Sequence, residues 1–209
     1  MSDTAAPMPV TLAAISEFAH GLTWEVDEAT KRTSHAIRTG DGRVWLVDPV
    51  EHPDAIARAG KLGEPHAVLQ LIDRHNRDCA AVAARLGVPH IEVPDAVPDS
   101  PFEAIPVLRM RRWRETALWW PETKLLVVAE ALGTADAFTL GHGAVGMHLM
   151  LRPFPPGALR DYEPEHLLVG HGPTVHGAAA REGVAFAYAH ARRDIPRVPL
   201  AIVKLLRGG

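Results

Sequence analysis

The almost entirely apolar run from Ala67 to Ile72 constrains the fold more than any other feature of the chain. A strand is continuously apolar when both of its faces are covered, so this run predicts a strand inside a layered protein. Asp78 to Leu86, closed by Gly87, then has the character of a helix, and Val88 to Val93 is again apolar. The succession predicts a strand, a helix and a second strand.

A hairpin and two helices are also predicted. Thr33 to Thr39 and Arg43 to Val47 alternate around Gly40-Asp41-Gly42, which is a good turn signal. Pro53 suits the first turn of a helix, because that turn tolerates a missing amide. Gly177 to Arg193 has helical spacing and a basic end.

Prolines indicate two loops, at residues 94–106 and 152–164. With hairpins towards both ends and a strand–helix–strand unit between them, the chain is expected to be an α/β protein of the α+β type. A four-layer αββα sandwich with mixed sheets explains this order better than a doubly wound parallel sheet.

The composition is that of an ordinary globular chain. Hydrophobic residues make up 47% of the 209 residues, and we expect one domain over residues 10–209 after a disordered stretch at residues 1–9. No apolar run reaches the roughly 18 residues of a membrane span, and the N-terminus lacks a signal peptide. One cysteine fits a reducing compartment, so a cytoplasmic protein without a membrane partner is expected.

The charge pattern predicts no nucleic-acid partner, because the formal charge is −3. A local basic cluster is interpreted as a solvated strand face rather than an anion site. It consists of Arg109, Arg111, Arg112 and Arg114.

A glycine pattern raises the possibility of a dinucleotide site. Gly141 to Gly146 matches G-x-G-x-x-G, and Asp161 lies at a plausible distance for a ribose contact. Such a site requires the loop to open a long helix, whereas prolines from Pro153 onwards end any helix after about two turns. We therefore expect no dinucleotide cofactor.

The polar loop after the apolar run carries the most specific pattern. Leu71 to Cys79 reads Leu-Ile-Asp-Arg-His-Asn-Arg-Asp-Cys. It resembles the His-x-His-x-Asp-His metal motif of the metallo-β-lactamase superfamily, with four residues at the ligand positions: Arg74, Asn76, Asp78 and Cys79.

Further segments resemble the same family in the same order. Val44 to Pro49 is similar to its early strand, and Ala117 to Val128 to its late hairpin. That hairpin ends in Gly-Asp in the family and in Ala129-Glu130 here. Leu167 to Pro173 is similar to the final strand with its metal-binding histidine, His171.

The resemblance implies two metal sites, and the first has lost its ligands. In the family three histidines hold this metal. Here Arg74 and Asn76 stand at two of the positions, and no histidine lies between His90 and His142 to supply the third. Arginine keeps its proton and an amide is a poor zinc ligand. Hydrolysis by the usual metal-bound hydroxide is therefore not expected.

The second implied site keeps groups that can bind a metal. Asp78, Cys79, Glu130 and His171 occupy its positions, and together they suit zinc. Each also has a structural interpretation, as a helix N-cap, a buried apolar group, a strand-end charge and a turn residue respectively. The main expectation is no cofactor, and one zinc ion is the alternative.

Arg74 is expected to replace the missing metal charge. Its guanidinium would hold Asp78 and Glu130 ionised through a hydrogen bond to at least one of them. The family geometry implies that His75 points away from the pocket and that Asp48 supports the loop. The other histidines show no recognisable spacing and are interpreted as surface or loop groups: His142, His148, His166 and His176.

These observations lead to alternative functions. The first is a noncatalytic or altered binding protein that takes a small ligand or a protein partner in the pocket where the family binds its metals. The residues expected to line this pocket are Arg74, Asn76, Asp78, Glu130 and His171. The second is a mononuclear metal-dependent hydrolase of an ester or thioester, so catalysis stays open. A scaffold role would use Trp113, Trp119 and Trp120, although strand spacing turns one of the adjacent pair towards the core.

Overall fold

A six-stranded mixed sheet forms the first half of the protein. The computed structural model describes residues 10–74 and 77–207, apart from the side chains of residues 201 and 204–207. The predicted disordered stretch at residues 1–9 lies outside this range, as do His75 and Asn76. The sheet order follows the chain, with the last two pairings parallel. Its strands are β1 (Leu12–Phe18), β2 (Gly21–Val26), β3 (Thr33–Arg38), β4 (Arg43–Val47), β5 (Glu64–Gln70) and β6 (His90–Glu92).

The second half forms a five-stranded mixed sheet and a separate strand pair. The chain continues with β7 (Glu103–Met110), β8 (Trp113–Trp120), β9 (Leu125–Val128), β10 (Leu132–Gly133), β11 (Gly146–Met147), β12 (His166–Val169) and β13 (Val175–His176). The order in the five-stranded sheet is β13-β12-β9-β8-β7, and β10 pairs with β11. Only β12 and β9 pair in parallel here. The two sheets correspond to the predicted hairpins and strand–helix–strand unit.

The helices of the described residues are α1 (Pro53–Leu62), α2 (Cys79–Leu86), α3 (Asp136–Thr139), α4 (Ala178–His190) and α5 (Val198–Arg207). Two helices, α1 and α2, pack on the first sheet, α4 packs on the second, and α3 contacts the β10–β11 pair and α5. Short 3₁₀ turns lie at Leu149–Leu151, Gly157–Leu159 and Ile195–Arg197. None of the helices in the described ranges is long and apolar enough to cross a membrane.

Strand β4 shows how the four layers arise from alternating side chains. Val44 and Leu46 lie in a core cluster with the apolar residues of α1 and α2. Trp45 and Val47 point the other way, into the larger cluster that joins the two sheets. That cluster extends to α4 through residues such as Val184. The predicted αββα sandwich is therefore confirmed, with alternation placing successive residues on opposite faces.

Two sequence expectations require correction. Residues 103–106 are part of strand β7 and not of a loop. Pro106 fits there because β7 is the edge strand, where a missing amide costs no ladder hydrogen bond, and the register shifts between Pro106 and Leu108. Trp113 and Trp120, considered as scaffold contacts, are buried in the core at 4% and 6% exposure.

The glycine-rich segment has no dinucleotide geometry. Gly141 lies in a turn after α3, and Gly146 begins the short strand β11. The next helical element is the 3₁₀ turn at Leu149–Leu151 and not a long crossover helix.

Two isolated bridges join the sheets at one edge and position the candidate site. Arg32, just before β3, pairs with His171, just after β12. Ile72, which follows β5, pairs with Glu115 of β8. The polar loops that leave β5 and β12 therefore meet at the same edge of the sandwich.

Candidate functional site

Arg74 lies against an indole ring rather than against an acid. Its guanidinium carbon is 4.3 Å from the centroid of the Trp113 ring, and the residue is exposed. The Asp73 carboxylate accepts a hydrogen bond from the Arg114 amide at 2.9 Å, which holds this part of the loop beside the start of β8. Asp78 accepts a hydrogen bond from the Glu51 amide and Glu130 lies 3.5 Å from His148, so the pairing of Arg74 with one of these acids stays a prediction.

Arg77 is the buried cation of the loop, and the sequence interpretation missed it. Its guanidinium donates to the carbonyl oxygens of Thr33 at 2.6 Å, Gly170 at 2.7 Å and Asp48 at 3.2 Å. Burial lowers the pKa of this side chain, while Asp48 opposes the shift. Arg77 lies between two of the ligand positions of the motif. Nothing in the sequence pattern indicates that this arginine is buried and that Arg74 is exposed.

Asp48 supports the loop, as the resemblance implied. This residue has a left-handed backbone with φ of 44° at the end of β4. Its Oδ1 atom accepts a hydrogen bond from the Leu71 amide at 3.0 Å, and its carbonyl accepts one from Arg77. The loop is thus tied to the end of β4 on both sides of the segment that carries Arg74.

Asp78 and Cys79 lie at the start of α2, but the Asp78 side chain makes no capping hydrogen bond to this helix. The Oδ2 atom of Asp78 accepts a hydrogen bond from the Glu51 amide at 2.8 Å. Cys79 is fully buried among apolar residues of β2, β4 and α1. Burial raises the pKa of its thiol far above the ordinary value, and Asp48 adds to the shift. The thiolate that would bind a metal is therefore disfavoured at this position.

The backbone of Glu130 is held by a second buried acid, Glu115. The Oε1 atom of Glu115 accepts hydrogen bonds from the amides of Glu130 and Ala131, each at 2.9 Å. Burial raises the pKa of Glu115 to about 7, although these two amides favour the ionised form. Glu115 therefore positions the turn that carries Glu130. The sequence signal for this role of Glu115 is an acidic residue within a strand, and the sequence interpretation did not use it.

His148 joins Glu130 to the aromatic part of the site. Its Nδ1 atom accepts from the Met150 amide at 3.2 Å, which places the ring proton on Nε2. That Nε2 atom is 3.5 Å from Oε1 of Glu130. The ring also makes edge contacts with Trp113 and Phe138, at centroid distances of 4.9 and 5.7 Å. His148 lies in a loop, in agreement with the expected surface or loop position, and its contacts make it a candidate site residue as well.

His171 is anchored by its own strand end. Its Nδ1–H group donates to the carbonyl of Thr30 at 2.7 Å, and its ring stacks on Phe138 at 5.5 Å. Glycines flank it for steric reasons: a Cβ on Gly170 would meet the Ala129 carbonyl oxygen at 2.1 Å, and Gly172 has φ of +93°. The Gly-His-Gly sequence thus presents this ring at a crowded edge.

The candidate site consists of aromatic rings and charged side chains at one edge of the sandwich. Glu130 and His171 are brought together through His148 and Phe138, and Arg74 joins the same chain of contacts through Trp113. Asp78 is adjacent in sequence to Arg77, which contacts the residue before His171. Asn76, also expected here, lies outside the described residues.

The described residues do not fit the metal centre that the resemblance implies. Within residues 10–74 and 77–207, no three side chains of His, Cys, Asp or Glu come together in a way that could hold a metal ion. The Cys79 thiol is in the core, and the Arg74 guanidinium lies over the Trp113 ring. The arrangement offers hydrogen-bond donors, aromatic surface and fixed charge instead.

Comparison with known proteins supports the fold and leaves the activity open. No family model and no curated protein sequence matches the chain. A metallo-β-lactamase from Pontibacter korlensis superposes with a TM-score of 0.58 at 14% identity, covering 87% of this chain and 99% of that chain. The mono-zinc form of the metallo-β-lactamase FIM-1 from Pseudomonas aeruginosa superposes with a TM-score of 0.52 at 15% identity, covering 88% and 96%.

A third similar structure is a peroxy diiron species of the chemotaxis sensor ODP. It has a TM-score of 0.51 at 12% identity, and the alignment covers 84% of this chain and 94% of that chain. The chain therefore has the metallo-β-lactamase fold. Identities this low show the fold alone, because one fold carries many unrelated activities.

Proposed function

We propose that this chain is a noncatalytic binding protein that takes a small anionic ligand at the Arg74 edge of the fold. The observation that carries the proposal is the position of Arg74, which is exposed and stacked on Trp113 at 4.3 Å. A guanidinium held on a rigid ring directs its N–H groups outwards, which suits bidentate recognition of a carboxylate or phosphate. We infer a cytoplasmic setting from the single, buried cysteine.

The charges around Arg74 support an anionic ligand. In the described part of the chain, no Asp or Glu lies within ion-pair distance of the Arg74 side chain. The neighbouring turn carries Arg111, Arg112 and Arg114, all of them exposed. Asp73 is the adjacent acid, and one of its oxygens is already engaged by the Arg114 amide. The excess of positive charge attracts anions, most strongly at low ionic strength.

The mononuclear hydrolase remains the competing proposal, and the geometry favours it less. It requires Asp78, Cys79, Glu130 and His171 around one ion. The Cys79 side chain is fully buried in the helix-facing core, and its raised pKa opposes ionisation. Without that ligand, the donors left are two acids and one histidine, and Asp78 already accepts the Glu51 amide.

Anion binding to the purified, untagged protein tests the proposal. Isothermal titration and thermal melting would use inorganic phosphate, pyrophosphate and citrate as probes, for wild type, Arg74→Ala and Arg58→Ala. Arg58 is an exposed arginine of α1 and controls for the loss of one surface charge. We expect at least one probe to bind wild type and Arg58→Ala, with at least a tenfold loss in Arg74→Ala. Equal binding by all three proteins, or by none, contradicts the proposal.

A metal titration separates the two functions. Stoichiometric zinc uptake that is abolished both by Asp78→Asn and by His171→Ala, together with ester hydrolysis by the loaded protein, would establish the hydrolase instead. If zinc uptake is absent and anion binding depends on Arg74, the binding protein is supported.

A further inference from the structure

Two histidines form a close pair at the edge of the second sheet. His166 begins β12 and His176 ends β13, and the two residues are directly opposite each other in the antiparallel ladder. Their Nδ1 atoms are 2.9 Å apart. The pair lies at the start of β12, whereas His171 follows the end of that strand, so the two places are at opposite ends of β12.

Neighbouring side chains hold this pair in position. The Phe18 ring stacks on His176 at a centroid distance of 5.8 Å, and the His20 ring meets His166 edge-on at 5.3 Å. The Nε2 atom of His176 is 3.2 Å from the Thr174 hydroxyl. His176 is exposed and lines a cleft of about 280 Å³ together with Phe18 and Thr174, so a ligand from solvent can approach this ring.

We propose that His166 and His176 form a binding site for one divalent transition metal ion, in which both Nδ1 atoms coordinate the ion and water completes the shell. No residue of the fold's usual metal motif takes part. Imidazole is a preferred ligand of nickel, copper and zinc, and two ligands on one rigid strand pair bind with little loss of conformational freedom.

The distance between the nitrogens indicates which metals fit. Two nitrogens that are each about 2.05 Å from one ion and 2.9 Å from each other subtend about 90° at that ion. A tetrahedral shell would separate them by about 3.4 Å at the same bond length. The observed separation therefore matches the adjacent positions of the tetragonal geometry that Cu²⁺ and Ni²⁺ prefer.

Metal binding requires one proton to move within the histidine pair. In the metal-free pair one Nδ1–H group donates to the other Nδ1 atom. When the ion binds, that proton moves to the Nε2 atom of the same ring, so both Nδ1 lone pairs face the metal. The Thr174 hydroxyl accepts from Nε2–H of His176 and fixes its tautomer, as outer-shell partners of metal-bound histidines commonly do.

The surroundings favour the neutral form of both rings. Partial burial lowers the pKa of His166, and the neighbouring His176 lowers it further, while Glu165 opposes the shift. Partial burial also lowers the pKa of His176, again opposed by Glu165. The neutral form supplies the lone pairs that coordination requires.

Titration with Ni²⁺ at pH 7.5 tests the site in untagged protein, with Mg²⁺ as a probe that prefers oxygen ligands. We expect one Ni²⁺ per chain, no binding of Mg²⁺, and at least a tenfold loss of Ni²⁺ affinity in His166→Gln and in His176→Gln. His90→Gln is the matched control, because His90 is an exposed histidine on a different edge strand with one polar partner, Gln70. This control should bind Ni²⁺ as wild type does.

Two results would overturn the inference. One is Ni²⁺ binding that persists in both His166→Gln and His176→Gln. The other is the absence of Ni²⁺ binding to wild-type protein. Thermal melting without metal shows whether each variant folds, and His171→Ala shows whether bound Ni²⁺ lies at the fold's usual site, since that variant should retain binding.

Discussion

The Arg77 guanidinium donates a 2.7 Å hydrogen bond to the carbonyl oxygen of Gly170, the residue before His171. The same side chain donates to Thr33 at the start of β3 and to Asp48 after β4. A single buried arginine thus joins the polar loop to segments of both sheets. Its hydrogen bond to Gly170 adds to the one that the same carbonyl accepts from the Thr33 amide at 2.9 Å.

Replacing Arg77 should destabilise the protein strongly. Arg77→Ala leaves the Gly170 and Thr33 carbonyls without this donor, and we expect the free energy of unfolding to fall by about 3 kcal/mol or more. Urea denaturation measures the change. Arg85→Ala is the control, since Arg85 pairs with Glu51 at the surface and its loss should cost less than about 1 kcal/mol. Equal effects of the two substitutions would contradict this role of Arg77.

Glu115 should make stability depend on pH. Its pKa is raised from 4.5 to about 7, so between these values the folded protein binds a proton that the unfolded chain does not. Stability from this group is therefore full below pH 4.5 and is lost as the pH rises to about 7. Glu115→Gln, which keeps the acceptor for both amides, should remove this loss.

The measurement compares unfolding free energies of Glu115→Gln and wild type from pH 4.5 to 8. The comparison is necessary because His35 acts in the opposite direction: burial lowers its pKa from 6.5 to about 3, so its contribution is lost as the pH falls through this range. We expect the difference between the variant and wild type to grow in favour of the variant as the pH rises to 7. A constant difference would show that Glu115 does not titrate there.

Arg74→Ala should have little effect on stability. The side chain is exposed and stacks on Trp113, and such an exposed contact contributes about 0.5–1 kcal/mol. If Arg74 instead formed a buried pair with Asp78 or Glu130, its removal would cost several times more. Urea denaturation of Arg74→Ala beside Arg58→Ala decides between the two. A loss of about 3 kcal/mol or more would restore the charge-replacement interpretation.

The Cys79 thiol should be inert in the folded protein. It is fully buried, and its raised pKa keeps it protonated. A thiol reagent such as DTNB should label it only after urea is added, and Co²⁺ should produce no thiolate charge-transfer absorption. Rapid labelling of the native protein would show that the thiol is accessible and would favour the mononuclear hydrolase proposal.

Metal content should be clearly below two ions per chain. Arg74 stands where the resemblance requires a histidine, and the described residues contain no group of three donors that could hold an ion. Elemental analysis after mild dialysis measures zinc, iron and manganese in untagged protein. Two tightly held ions would mean that Arg74 does not occupy the motif position assigned to it.

Local sequence patterns were sufficient for the main elements. The turn at Gly40-Asp41-Gly42 predicted the β3–β4 hairpin, and Pro53 predicted the start of α1. The apolar run of β5 predicted a strand covered on both faces. Pro106 was misleading, because whether a proline ends a strand depends on whether that strand lies at the edge of its sheet.

The sequence by itself determined the periodicity of the chain and the order of its segments, and it predicts the loss of metal-binding residue types at the first motif positions. Only the tertiary structure decided which groups meet. Arg74 and Arg77 are the same residue type in one loop, yet one is exposed and the other is buried against Thr33 and Gly170. His166 and His176 are paired by strand register. Such choices depend on partners distant in sequence, whose contacts exist only after the sheets have packed.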